Sequence, residues 1–276
     1  MRLLRILILT ILLLTGCSYK PSDAVKIRIK GSDTMLIVTE LLAEHYMKEH
    51  PGVSVYVEGG GTALGVKSLS TGEIDICTAS RPLKSEEVKI LSEKFGLIGM
   101  STIIAKDGLT IFVNPGNPVD DISLEQLKDI FTCRISNWKY LGGKDTSIVP
   151  VSRNPNSGTY LYFKEHILEG EEYCDDITIE PTTQSIIQKI TENKNAIGYG
   201  GIGYYTSKVK HLKINGQEPT EKNVIDNIYP ISRYLYLYTL QTPEGPVKNF
   251  IDWVLSSEGQ KVIKDAGYIP LWEIAQ

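Results

Sequence analysis

Three apolar alternations near the start of the chain constrain its fold more than any other feature. Each is closed by a polar or glycine-rich turn, and the first two lead straight into helical spacing. Val25, Ile27 and Ile29 alternate with Lys26, Arg28 and Lys30, which predicts a strand with one buried face. The turn Gly31-Ser32-Asp33-Thr34 follows. Residues 35–48 then place Leu36, Val38, Leu41, Leu42 and Tyr46 on one helical face, until Pro51-Gly52 ends the run. Val53, Val55 and Val57 repeat the strand pattern and meet Gly59-Gly60-Gly61-Thr62, ahead of a helix over 63–70. A strand over 74–79 closes at Ser80-Arg81-Pro82. Such alternation builds an α/β fold around a mostly parallel sheet with helices on both faces. Ligands of these sheets lie beyond the carboxyl ends of the strands, where all three turns fall.

The remaining chain continues in kind. Strands are predicted over 109–113, 148–151, 196–199 and 229–240, the last suited to a return into the first domain. Helices are predicted over 124–131, 183–192, 245–255 and 257–266. Ser123 and Gln126 form a capping box ahead of the first of these. Asn114-Pro115-Gly116-Asn117-Pro118 marks the expected crossing between two domains. No repeat at a solenoid period is visible.

Arg2 and Arg5 precede a short apolar core, Ile6 to Leu14, and Leu14-Thr15-Gly16-Cys17 has the lipobox pattern. A lipoprotein signal over 1–16, lipidation of Cys17 and a tether over 17–24 are therefore expected, holding the body at a membrane surface. Removing Arg2 and Arg5 shifts the formal charge from −4 to about −6. No Lys/Arg-rich stripe offsets that acidity, which argues against nucleic acid. Cys77, Cys133 and Cys174 lack metal spacing. Cys133 and Cys174 can pair in an exported protein, and three isolated buried thiols is the other reading.

The most informative stretch is Arg153-Asn154-Pro155-Asn156-Ser157-Gly158-Thr159. Ser157 is a candidate N-cap, Gly158 admits close backbone approach, and a helix start with its unpaired N–H groups suits an anion. Arg153 adds a planar fork matched to two oxygens. Other chemistries fit less well. Gly198-Tyr199-Gly200-Gly201-Ile202-Gly203 spells the dinucleotide pattern but comes late and lacks a following apolar helix. The run Gly61 to Ser68 resembles a P-loop, but Val66 separates Gly65 from Lys67. No hydrolase elbow or zinc motif occurs, and His45, His50, His166 and His211 have no fixed partner in sequence. Hydroxyls and arginines at turns recur instead: Ser32, Thr34, Thr62, Ser80, Arg81, Arg153, Ser157 and Thr159. Together they match the many hydrogen bonds a tetrahedral anion accepts.

These residues resemble the phosphate-binding proteins of the high-affinity phosphate ABC importer. The resemblance is carried by residues 31–35, by Glu58-Gly59-Gly60-Gly61-Thr62 with Gly65-Val66-Lys67, by 75–81, and most specifically by Arg153 with Ser157-Gly158-Thr159. Asn137-Trp138, Ala196-Ile197-Gly198-Tyr199 and Gly267-Tyr268-Ile269-Pro270 are similar but structural. The resemblance implies a two-lobe type II periplasmic-binding-protein fold, each lobe a mixed sheet flanked by helices, joined by two crossing hinge strands near 109–113 and 229–240. Lobe 1 would comprise 25–111 and 236–276, and lobe 2 112–235. It implies phosphate contacts at Thr34, Thr62, Ser80, Arg153, Ser157, Gly158 and Thr159, with Ser32 and Arg81 as neighbouring candidates. It implies no cofactor, no metal and no catalysis. The expected partners are phosphate and the importer's permease subunits, with a monomer lipid-anchored outside the cytoplasm. One departure stands out: Arg81 occupies the place where some members carry an Asp that accepts the proton of monoprotonated phosphate. Such an acceptor rejects sulfate, so Asp33 or Glu58 would have to serve. The alternatives are a receptor for sulfate, molybdate or arsenate, a phosphate-ester hydrolase on the same scaffold, and a sensor or adhesin independent of the importer.

Overall fold

The computed structural model describes residues 24–96, 98–204 and 206–272. The expected signal over 1–16, Cys17, and the tether apart from Ala24 lie outside these residues. The strands are β1 (Val25–Gly31), β2 (Val53–Glu58), β3 (Ile76–Ala79), β4 (Met100–Val113), β5 (Asp121–Ile122), β6 (Val149–Arg153), β7 (Thr178–Glu180), β8 (Ala196–Gly201), β9 (Lys210–His211), β10 (Lys213–Ile214) and β11 (Ser232–Thr239). The helices are α1 (Leu36–Glu49), α2 (Thr62–Thr71), α3 (Ser85–Phe95), α4 (Leu124–Phe131), α5 (Gly158–His166), α6 (Thr183–Glu192), α7 (Glu221–Ile225), α8 (Gly245–Val254) and α9 (Ser257–Asp265).

One mixed sheet runs through the molecule in the order β2-β1-β3-β11-β4-β8-β6-β7. Its two ends are parallel, β2-β1-β3 and β8-β6-β7, as the strand–helix alternation requires. Its centre is antiparallel, because β11 returns between β3 and β4. The mostly parallel expectation therefore holds for each end and fails in the middle. β4 is the longest strand and is longer than predicted. It pairs with β11 over Met100–Gly108 and with β8 over Leu109–Val113. The chain thus crosses between the two halves of the sheet at Gly108–Leu109, inside a continuous strand, ahead of the proline-rich turn at 114–118.

Each half of the sheet has its own apolar core. In one, Ile27, Ile29, Ile76 and Leu235 pack under Val38, Leu42 and Tyr46 of α1 and Phe250 and Val254 of α8. In the other, Ile111, Val113 and Ile197 pack with Phe131, Trp138 and Phe163. Cys133 and Cys174 form a disulfide with Cα atoms 5.5 Å apart, while Cys77 is a buried free thiol.

The glycines of β8 serve packing. A Cβ on Gly198 would lie 2.6 Å from Ile186, and one on Gly200 would lie 2.4 Å from Thr183, so α6 sits directly on the strand. The dinucleotide-like spelling therefore records helix–sheet contact. Gly65 does the same for α2, with its Cβ position 2.7 Å from Gly31 Cα, and Lys67 of the P-loop-like run is exposed.

Candidate functional site

Most of the residues singled out in the sequence converge where β1, β3 and β6 end. Ser32, Thr34, Thr62, Ser80, Arg153, Ser157 and Thr159 are all buried, with Arg153 wholly enclosed. The α/β pattern explains the convergence, since parallel strands deliver their carboxyl-terminal turns to one edge of the sheet. Two helices begin there. α2 starts at Thr62 and α5 at Gly158, and a Cβ on Gly158 would lie 2.4 Å from Thr62 Oγ1 and 2.5 Å from Ser80 Oγ. Each helix start carries partial positive charge and spare N–H groups. Ser157 caps α5, its hydroxyl accepting from the N–H groups of Thr159 at 3.2 Å and Tyr160 at 3.4 Å.

Contacts cross between the two halves throughout this region. Thr34 and Thr159 hydroxyls lie 2.6 Å apart, and the Ala63 N–H donates to the Asn156 carbonyl at 3.3 Å. Ser32 donates to Ser80 at 3.0 Å within the first half. Arg153 Nη2 donates to Asp33 Oδ2 at 2.6 Å and to the Pro181 carbonyl at 2.8 Å, and Nη1 donates to Thr183 at 3.2 Å. Its Nε has no hydrogen-bond partner among the described residues. Burial lowers the tendency of this guanidinium to hold its proton, and the adjacent Asp33 opposes that effect. Asp33 is fixed in turn by the Gly60 N–H on Oδ1 at 2.8 Å.

Arg81 is the site candidate that does not join the cluster. Its fork donates to Glu87 at 2.7 and 2.8 Å and to the Pro82 carbonyl, an arrangement set by the first turn of α3. Glu58 is exposed and pairs with Lys30 at 2.7 Å. Of the two acceptors considered, only Asp33 stands among the hydroxyls.

Two charged residues enter the region unannounced. Arg233 on β11 faces Asp107 on β4, with Nε and Nη2 at 3.0 and 2.9 Å from Asp107 Oδ2. Asp107 Oδ1 accepts the Ile202 N–H at 3.0 Å, and burial pushes this carboxyl up while Arg233 pulls it down. Arg233 Nη2 also reaches Thr159 Oγ1 at 3.0 Å. A sequence signal existed: Ile231, Arg233, Leu235 and Leu237 share one face of an alternating strand, so the arginine sits where an apolar side chain belongs.

The arrangement is a donor-rich, buried cluster where the two halves meet, suited to a small oxyanion. Among the described residues no cluster of three or more His, Cys, Asp or Glu could hold a metal ion. A model of the PBP superfamily domain matches residues 18–258. The phosphate-binding protein PstS of Bacillus subtilis is 36% identical over 251 residues, spanning 89% of this chain and 81% of the relative. A Clostridium perfringens crystal structure with bound phosphate, described as a phosphate ABC transporter substrate-binding protein, is 35% identical with a TM-score of 0.83. It aligns over 90% of this chain and 100% of its own. An ABC-type phosphate transport receptor from Vibrio cholerae is 30% identical with a TM-score of 0.73, over 89% of this chain and 99% of its own.

Proposed function

The chain belongs to the PBP superfamily and, within it, to the phosphate-binding proteins, and from that membership we propose that it captures inorganic phosphate between two lobes and delivers it to an ABC importer. The observation that carries this reading is the wholly buried Arg153, paired with Asp33 of the other half, together with the buried hydroxyls of both halves and two helix starts. Thr34, Thr62, Ser80, Arg153, Ser157, Gly158 and Thr159 contact the anion, with Ser32 supporting Ser80. Arg81 orders the first turn of α3 through Glu87 and stays out of the contact set. The closing bodies follow the expected division, with two shifts: the boundary in β4 moves from 111 to Gly108–Leu109, where its pairing passes from β11 to β8, and all of β11 belongs to the first body. The protein works as a monomer held outside the cytoplasm by a lipid on Cys17, and presents its loaded form to the permease subunits.

No hydrolytic step is assigned. The Ser157 hydroxyl accepts from N–H groups and the Thr159 hydroxyl meets Thr34 and Arg233, so among the described residues neither is hydrogen-bonded to a base. Phosphate binding followed by equilibrium dialysis tests the assignment. Arg153→Ala should cost roughly 2–5 kcal/mol of affinity, because it strips a buried charge partner from the cleft. Unchanged affinity in that variant would overturn it.

One observation favours a broader oxyanion receptor. Both carboxylates near the hydroxyls already hold donors, Asp33 from Arg153 and Gly60, and Asp107 from Arg233 and Ile202. Sulfate competition at pH 6 and pH 8 separates the readings. Competition at both values favours the broader receptor, and exclusion of sulfate favours a carboxylate proton acceptor at the site.

A further inference from the structure

We propose that Arg233 is a second guanidinium contact for the bound anion, delivered by β11 beside the crossing strand β4 and held in place by Asp107 and Tyr162. This inference rests on the phosphate reading above. Arg233 is buried, and three elements fix it. Asp107 lies directly across the antiparallel ladder and takes both Nε and Nη2. The Tyr162 ring, on α5, lies 5.4 Å from its guanidinium carbon. The Tyr162 hydroxyl donates to the Ser232 carbonyl at 2.8 Å, which ties the ring to the same strand.

What remains of the fork is aimed at the cleft. Nη2 is 3.0 Å from Thr159 Oγ1 and 3.5 Å from Thr34 Oγ1, the hydroxyl pair that joins the two halves. Nη1 is buried and has no hydrogen-bond partner among the described residues. A buried cationic N–H without a partner is costly, and an anion oxygen supplies what it lacks. A purely structural partner for Asp107 would need neither the donor turned to the hydroxyls nor the unmatched Nη1. Arg153 approaches from β6 in one half and Arg233 from β11 in the other, so the anion would sit between guanidiniums rooted in both halves of the sheet.

Calorimetric phosphate titration of three variants tests the inference. Arg233→Gln should weaken phosphate about thirtyfold or more, the loss expected when one member of a buried charged pair is removed. Arg233→Lys keeps the charge beside Asp107 but loses the planar fork, and should weaken binding roughly tenfold. The double variant Arg233→Gln/Asp107→Asn removes both buried charges together, so folding does not suffer from an orphaned carboxylate. Near-ultraviolet circular dichroism checks its packing. If Arg233 contacts the anion, the double variant stays as weak as Arg233→Gln. If Arg233 only neutralises Asp107, the double variant returns to wild-type affinity and the inference is overturned. Wild-type affinity in Arg233→Lys overturns it as well. A wild-type protein that binds no phosphate removes the underlying reading itself, an outcome distinct from either.

Discussion

Arg153 and Asp33 form a buried ion pair, with side chains 0% and 9% exposed. Such a pair gives little net stability, but breaking it strands a charge. Asp33→Asn should therefore cost the phosphate-free protein about 3–5 kcal/mol. Saturating phosphate should return part of this, since a bound anion would offset the unpaired guanidinium. Thermal unfolding with and without phosphate reads both effects. His211 makes a different prediction. Its Nδ1 lies 3.2 Å from Thr110 Oγ1, and burial depresses its pKa to about 4. The folded state thus keeps it neutral while the unfolded chain takes up a proton near pH 6.5. The stability it contributes is complete above about pH 6.5 and is lost as pH falls toward 4. Across that window the loss is on the order of 2–3 kcal/mol. Replacing it in His211→Gln should flatten this part of the stability–pH curve, and an unchanged slope would reject the assignment.

At the scale of elements, α5 is the piece on which the cleft closes. Its first residue has no room for a side chain, because Thr62 and Ser80 hydroxyls occupy the Cβ position. Gly158→Ala should hold α5 away from α2 and weaken phosphate by about 1–3 kcal/mol, with little change in phosphate-free melting temperature. Calorimetry alongside thermal unfolding distinguishes this from general destabilisation. The start of α5 was legible in the sequence because capping is local: Ser157, Gly158 and Thr159 lie within one turn. The capping box of α4 and the bounds of α6 were legible for the same reason. α3 was missed although Glu87 reaches back to the Lys84 N–H at 2.8 Å, because its exposed face dilutes the apolar period and leaves Leu91 as its one buried side chain among the described residues. Overlooking α3 is also why Arg81 read as a cleft residue. The Arg233–Asp107 pair was out of reach for another reason. The partners are 126 residues apart and meet only through the register of β11 on β4, which no local pattern encodes.

One large sheet, with the two-stranded β5-β10 sheet beside it, runs through the whole molecule, and among the described residues β4 is the strand that continues from one half of it into the other. β11 lies beside it, carrying Arg233 at the same level as Asp107. The present arrangement is closed, with Asp33–Arg153, Thr34–Thr159 and Ala63–Asn156 bridging the halves. These bridges are polar, so a ligand that binds the closed form better should shift the balance toward it. Small-angle scattering should then show a smaller radius of gyration with phosphate than without, and an unchanged radius would reject hinge closure. The most direct measurement is a calorimetric titration of the chain from residue 18 onward with inorganic phosphate, run beside Arg153→Ala. The account predicts one phosphate per chain for the wild type and binding weaker by about 2–5 kcal/mol for the variant. A wild type that gives no binding, or a variant that binds as tightly as the wild type, would contradict it.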